Sequence, residues 1–290
     1  MHTPVLLKEV IENLNPQKGE FFIDGTLGGG GHAKAIWEKI KPNGKLLVLD
    51  LDKSAVDRFK ESILSENIVA INANYADLVS IISANDLPRV DGLLLDLGFS
   101  SDQIELSGRG FSFNRDEPLY MTYSEDEESV ASILSRLSEK DLADVIYKYG
   151  DERFSRKIAK AIKERTQKES IISSLELSEI IRQILPKSYE QGRIDPATRT
   201  FQALRIYANH ELDNIRRVIS ILPNIIASLG RVAIITFHSL EDEIVKNSFK
   251  ELVDEKKAVL VNKKPIVPTI EEKSHNPKSR SAKLRVIKFN

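Results

Sequence analysis

Three aspartates, each closing a short apolar run, are the residues whose types and spacing can do chemistry in this chain. Asp24 follows Phe21-Phe22-Ile23, Asp50 follows Leu46-Leu47-Val48-Leu49, and Asp96 follows Leu93-Leu94-Leu95. One aspartate at a strand end is commonly a turn residue or a helix cap. Three on one rim make a row of hydrogen-bond acceptors and negative charge facing whatever binds there. Directly after the first comes Gly25-Thr26-Leu27-Gly28-Gly29-Gly30-Gly31-His32, and then Ala33, Ile36, Trp37 and Ile40 at helical spacing until Pro42-Asn43-Gly44. A glycine-rich turn from strand to helix lets the backbone approach a ligand closely, because glycine reaches positive φ without a Cβ clash. That arrangement serves nucleotide-like ligands in general.

Charge narrows the choice. A dinucleotide rests its pyrophosphate on such a loop, against the positive end of the helix dipole. Asp24 would repel that pyrophosphate, whereas it would attract the ammonium and sulfonium of S-adenosylmethionine. Asp50 stands where an acid would bind the two hydroxyls of a ribose, and Tyr75 follows the next strand, where an aromatic can flank an adenine. The glycines alone decide nothing, since Gly28-x-Gly30-x-x-Ala33 also fits the dinucleotide fingerprint. A nicotinamide-dependent oxidoreductase is therefore the competing reading. An RNA-binding assembly factor with a vestigial cofactor fold is a third, against which the three intact aspartates speak.

Other segments point to an acceptor. Asp96-Leu97-Gly98-Phe99-Ser100-Ser101-Asp102-Gln103 is placed to meet both donor and acceptor. Gly108-Arg109-Gly110-Phe111-Ser112-Phe113-Asn114-Arg115-Asp116 gathers glycine, arginine and aromatics without periodicity, a composition able to clamp a flipped base and its phosphates. From Lys273 to Asn290 there are six cations and no acid, and Asn276-Pro277-Lys278-Ser279-Arg280-Ser281, with Lys283 after it, suits phosphate contact. The helix-like stretch Arg153 to Arg165 sets Arg153, Arg156, Lys157, Lys160 and Lys163 opposite Phe154, Ile158, Ala161 and Ile162, a pattern usually explained by solvation alone.

The elements that must position these residues alternate. Strand-like runs end at Asp24, Asp50, near Ile71 and at Asp96, with helical patterns between them, which indicates a parallel sheet covered on both faces. Thr3 as N-cap and Pro4 as first helical residue predict a helix through Leu14. From about Leu106 to Pro196 the patterns are helical. One helix is expected over Thr200 to Leu229, then a strand from Arg231 to Phe237, a helix opened by Ser239 with Asp242 in capping-box style, and edge strands near Val259-Leu260-Val261 and Leu284 to Ile287. The fold expected is α/β, a Rossmann-like methyltransferase domain with an inserted helical domain. Its boundaries are 1–105 and 197–290 for the two parts of the former and 106–196 for the latter.

With 290 residues the chain can build one large domain or two modest ones. A net charge of -1 announces no polyanionic partner, so an RNA role must rest on local patches. The absence of cysteine excludes disulfides, thiolate metal sites and a cysteine nucleophile. No signal peptide or membrane span is apparent, and a cytoplasmic protein without metal is expected.

In order along the chain, its motifs resemble the bacterial RsmH (MraW) methyltransferases. The resemblance is carried by His2-x-Pro4-Val5-Leu6-Leu7-x-Glu9, the Asp24-Gly25-Thr26 loop through His32, Asp96-Leu97-Gly98-x-Ser100-Ser101 and Gly108 to Phe113. It continues in Phe201-Gln202-Ala203-Leu204-Arg205-Ile206, His238-Ser239-Leu240-Glu241-Asp242 and Asn276 to Arg285. It implies methylation at N4 of one cytosine (position 1402) in the decoding region of 16S rRNA, with S-adenosylmethionine as donor. The family's donor site falls on Gly30, Gly31, His32, Asp50, Tyr75, Asp96 and Gln103, beside Asp24. Asp96 with Ser100 and Ser101 becomes the candidate set that accepts hydrogen bonds from the reacting amine, Phe99 or Phe111 the base platform, and Arg109, Phe111, Arg115, Lys278, Arg280 and Lys283 the RNA contacts. The small ribosomal subunit is the implied partner, and a homodimer is a further expectation. The chain departs from the family at Tyr75, where Phe is frequent, and in Asp116-Glu117-Pro118-Leu119-Tyr120-Met121-Thr122, which stands where Asp-Gly-Pro-Leu-Asp-Met-Arg is usual.

Overall fold

A computed structural model describes residues 4–63, 65–98, 108–124, 127–186, 188–192 and 194–290. The chain divides into two compact units, one from residues up to Gly98 and from Leu212 onward, the other from Phe99 to Glu211. The first unit is built on a seven-stranded sheet: β1 (Phe21–Asp24), β2 (Lys45–Asp50), β3 (Ile68–Asn72), β4 (Val90–Asp96), β5 (Ile226–Thr236), β6 (Ala258–Leu260) and β7 (Lys283–Phe289). Their spatial order is β3-β2-β1-β4-β5-β7-β6. The first five run parallel, and β7 lies antiparallel between β5 and β6.

Both faces of the parallel strands are covered, which is why they read as unbroken apolar runs rather than alternating ones. Phe22, Leu46, Val48, Leu94, Ala233 and Ile235 share one cluster with Val10, Ala33, Ile36 and Ile40 of α1 (Leu7–Leu14) and α2 (Gly31–Ile40). Their alternates Ile23, Leu47, Leu49, Leu93, Leu95, Val232 and Ile234 are equally buried. Helices α3 (Lys53–Ser62) and α4 (Leu78–Ala84) complete the crossovers before β4.

In the second unit the described elements include α5 (Val130–Arg136), α6 (Glu139–Gly150), α7 (Ser155–Thr166), α8 (Ser174–Ile184) and α9 (Thr198–Ala208). They enclose their own core of Leu142, Ile146, Ile158, Ile162, Leu177, Ile181, Phe201 and Leu204. Serine caps start three of them: Ser129, Ser138 and Ser173 each accept a backbone N–H from the first turn. Helix α9 joins this core through Phe201 and Leu204.

Two helix expectations are corrected. Pro4 does not start α1; Leu6 takes a left-handed φ of 54° and the helix begins at Leu7. Thr3 lies outside the described residues. The run Thr200 to Leu229 is not one helix. It breaks at Asn209-His210, where His210 has φ 52°, and α10 (Glu211–Ile225) then passes directly into β5. Leu222, Ile225, Ile226 and Leu229 have helical spacing, yet Ile226 pairs with Val90 in the sheet. Tertiary pairing overrides local periodicity there. Helix α11 (Ser239–Asp254) and the short α12 (Ile270–His275) finish the first unit. Among the described residues no helix is long and apolar enough to cross a membrane.

Candidate active site

The sheet order reverses between β1 and β4, and ligands of open α/β sheets bind beyond the carboxyl ends of strands at such a point. Asp24 ends β1, Asp96 ends β4 and Asp50 ends the neighbouring β2. Asp24 is wholly buried; its Oδ1 accepts the Thr26 amide at 3.1 Å, while Oδ2 finds no donor. Burial, reinforced by the charge of Asp50, raises the Asp24 carboxyl to about 7. Asp96 keeps a fifth of its side-chain surface, but its Oδ1 is buried without a donor. Desolvation and the neighbouring charges of Asp24 and Glu241 hold Asp96 well above the ordinary carboxylate range. Two acids with unsatisfied buried oxygens, side by side, store a demand for hydrogen-bond donors or positive charge.

Asp50 differs. Its Oδ2 accepts the Gly28 amide at 2.7 Å and its Oδ1 the Asp52 amide at 2.8 Å. Burial raises this carboxyl too. It pins the glycine loop to the end of β2, and each oxygen retains a lone pair for a ligand hydroxyl. The loop is also held by Leu27 N to Leu49 O and Gly25 N to Leu94 O, both 2.9 Å. Thr26 Oγ1 accepts the Asp96 amide at 2.6 Å and ties the β1 loop to the end of β4.

The glycines serve packing as well as any ligand. A Cβ on Gly31 would lie 2.2 Å from Pro4 Cγ, and one on Gly30, whose φ is +73°, 2.8 Å from the Phe59 ring. The segment before α1 thus lies against the start of α2. His32, only 6 % exposed, places Nε2 3.0 Å from the Val5 carbonyl and Nδ1 3.6 Å from Asp96 Oδ2. A carbonyl can only accept, so Nε2 carries a proton and Nδ1 faces the carboxyl. Tyr75 sits in a 3-10 turn opened by Asn74, half-buried just after β3.

Phe99, Ser100, Ser101 and Gln103 lie outside the described residues. In the second unit Arg109 donates to Thr122 Oγ1 and the Ser124 carbonyl, both at 3.1 Å, with its guanidinium 5.9 Å from the Tyr120 ring. Glu117 accepts the Gly110 amide at 3.0 Å. The three departures within the 116–122 stretch, Glu117, Tyr120 and Thr122, therefore form one local set around Arg109 and Gly110. Phe111 is corrected as a base platform: it is a core residue, 8 % exposed, and its ring stacks on Tyr123 at 5.4 Å. Arg115 is exposed, 3.9 Å from Glu117. Lys278 and Arg280 are exposed on a 3-10 turn, Pro277–Ser281. Lys283 instead donates to Asp242 at 2.9 Å, alongside Arg285 at 2.7 Å.

Thr26 and Glu241 also belong to this site's framework. Glu241, 1 % exposed, accepts the Phe237 amide at 2.8 Å and adds charge near Asp96. The capping box after β5 has His238 as N-cap and Glu241 at its third position, one residue earlier than the expected Ser239 and Asp242.

The model of the MraW methylase family matches residues 1–290. A ribosomal RNA small subunit methyltransferase H of Clostridium botulinum is 41% identical, covering 99% of this chain and 98% of its own. The protein of that name from Dictyoglomus thermophilum is 43% identical over 99% of this chain and 96% of its own. The one from Deinococcus deserti is 42% identical over 98% and 92%. Among solved structures, a Clostridium thermocellum protein provisionally assigned as an rRNA-methylase covers 100% of both chains at TM-score 0.50 and 11% identity, a likeness of fold alone.

Proposed function

Because this chain belongs to the MraW methylase family, we propose that it is an S-adenosylmethionine-dependent methyltransferase of small-subunit ribosomal RNA. The target we propose is N4 of a cytosine in the decoding region of 16S rRNA, at position 1402. The observation that carries the donor assignment is the pair of buried carboxylate oxygens without donors, Asp24 Oδ2 and Asp96 Oδ1, at the β1/β4 switch point. They fit a cationic ligand and would disfavour a pyrophosphate.

Asp24, Gly30, Gly31, His32, Asp50, Tyr75, Asp96 and Gln103 would hold the donor. When bound, it supplies an electrophilic methyl group. The N4 lone pair of cytosine is delocalised into the ring, so the protein's task is to accept hydrogen bonds from that amine and orient it. Asp96 is the proposed acceptor, with the hydroxyls or carbonyls of Ser100 and Ser101 beside it. Arg109, Arg115, Lys278, Arg280 and Lys283 are the proposed RNA contacts; Phe111 leaves that set because its stacking partner is Tyr123.

Mass spectrometry of 16S rRNA from cells with and without the protein tests this reading. A cytidine in the decoding region that loses one methyl on deletion and regains it on complementation is the expected result. An unchanged methylation map, or calorimetry showing tight nicotinamide cofactor binding and no S-adenosylmethionine binding, would overturn it.

A further inference from the structure

Helix α7 of the second unit carries cations in an arrangement its own fold does not use. Ser155, Ile158, Ala159 and Ile162 are buried in that unit's core. Arg156, Lys157 and Lys160 are exposed on the other side at spacings i, i+1 and i+4, and Arg153 is exposed in the turn just before the helix. Lys163 belongs to the structure instead: its ammonium donates to the carbonyls of Leu134 and Ser135, both at 2.9 Å, and caps α5. Of the four exposed cations, Lys160 has an ion pair among the described residues, with Glu164 at 3.8 Å, and both partners are about two-thirds exposed. Such a pair is worth little.

The group has further organisation. The Arg153 guanidinium stands 5.1 Å and the Lys157 ammonium 5.8 Å from the Phe154 ring, which gathers both charges on one aromatic. At the end of α6, Lys148 lies 5.0 Å from the Tyr149 ring and Tyr147 is 61% exposed. Between Tyr147 and Lys163 the sequence has six cations and two acids. One of the acids, Glu152, is fully buried, accepting the Phe154 amide and the Tyr189 hydroxyl. Exposed acids also occur nearby in sequence, among them Asp144, Asp151 and Glu164. The whole chain has net charge -1, so this local excess is no by-product of a basic protein. A face that serves solubility alone intersperses both signs. From Arg156 to Lys160 the helix rises about 6 Å, and Arg153 in the preceding turn lengthens the cationic stretch, enough to meet more than one phosphate of a strand.

We propose that Arg153, Arg156, Lys157 and Lys160, with the exposed Tyr147 ring, form an RNA-backbone surface on the helical unit, gripping phosphates of the rRNA substrate. The proposal rests on the rRNA reading above and names a contact surface within it. Each cation that neutralises a phosphate releases counterions, so such a surface has a signature in salt dependence. Tyr147 offers a sequence-tolerant stacking face.

The test uses the full chain with Arg156→Gln, Lys157→Gln and Lys160→Gln together, and a decoding-region fragment of 16S rRNA as probe. The slope of log Kd against log salt should fall by about 2, from 0.7–0.9 per lost phosphate contact. KM for the RNA should rise at least about tenfold, while kcat at saturating RNA and calorimetric affinity for S-adenosylmethionine stay at parent values. A control with Lys246→Gln, Lys250→Gln and Lys256→Gln on and after α11 should keep the parent slope. If the control falls equally, the effect is net charge and the surface is overturned. An unchanged slope and KM in a variant with parent Tm also overturns it. Should the triple variant unfold, Arg153→Gln and Lys157→Gln singly should each lower the slope by about 0.7–0.9, and parent slopes in both would be decisive against. A parent that binds no RNA sinks this surface together with the rRNA reading. A parent that binds and methylates, while the triple variant keeps its slope, sinks the surface alone.

Discussion

At the scale of single residues, the three rim aspartates are alike in sequence and unlike in work. Asp50 accepts two backbone amides, so it is partly the turn residue that any strand-end aspartate can be. Asp50→Ala should leave the Gly28 and Asp52 amides without their acceptor and cost about 1–3 kcal/mol of stability. S-Adenosylmethionine affinity should fall by about as much again if the free lone pairs also meet the ribose. Thermal unfolding and calorimetry separate the two losses; a lower Tm with parent affinity would leave Asp50 a purely structural residue. Asp96 Oδ1 is buried and, unlike the Asp50 oxygens, accepts no backbone amide. Asp96→Asn keeps the shape but turns one acceptor into a donor facing the N4 amine. The methylation rate in single turnover should fall far more than either binding affinity, because an interaction that orients the reacting amine matters most in the transition state. Full recovery of rate at saturating donor would reassign Asp96 to donor binding.

At the scale of elements, the join between the segment before α1 and the glycine loop decides the geometry of His32. Ala is favoured over Gly in helices by about 1 kcal/mol, so Gly31→Ala would stabilise an open helix start. Here the new Cβ would fall 2.2 Å from Pro4 Cγ. The substitution should instead destabilise by about 1–3 kcal/mol and loosen the His32 contact with the Val5 carbonyl. A raised Tm would show that this segment yields freely. This join was hidden in the sequence, where Thr3-Pro4 carries an ordinary helix-start signature; nothing in local chemistry announces that Pro4 lies on Gly31. The strands were legible for the opposite reason: burial on both faces writes itself as continuous apolar runs ending in Asp24, Asp50 and Asp96. Phe111 misled because an aromatic in a glycine-rich loop looks exposed, and its partner Tyr123 closes on it through a turn that periodicity does not encode. Ile226 misled because its spacing suits a helix equally, and Val90 across the sheet decides the matter.

At the scale of the whole molecule, the acids at the switch point set how stability follows pH. Burial and the charge of Asp50 raise Asp24 to about 7, so between the unfolded carboxylate value of about 3.9 and about 7 the folded chain holds a proton that the unfolded chain has released. Stability falls with rising pH wherever the native state binds more protons, by at most about 1.4 kcal/mol per pH unit for one group. Asp96, raised well above the ordinary range by burial and by Asp24 and Glu241, acts in the same direction. Asp242 works oppositely, since Arg285 and Lys283 lower it, and its contribution is lost only on acidification below the carboxylate range. Asp24→Asn should therefore have a Tm that declines less than the parent's from pH 5 to pH 7, with the two curves running parallel above that window. A cationic donor should reverse the sign of the penalty, because it favours the ionised carboxylates. Ligand that binds only the folded state stabilises by RT ln(1 + [L]/Kd), so at fixed concentration S-adenosylmethionine should raise the parent's Tm more at pH 8 than at pH 5.5. In Asp24→Asn that pH dependence should shrink. Equal stabilisation at both pH values in the parent would mean that Asp24 and Asp96 do not hold the positive charge, and the donor assignment would lose the observation on which it stands.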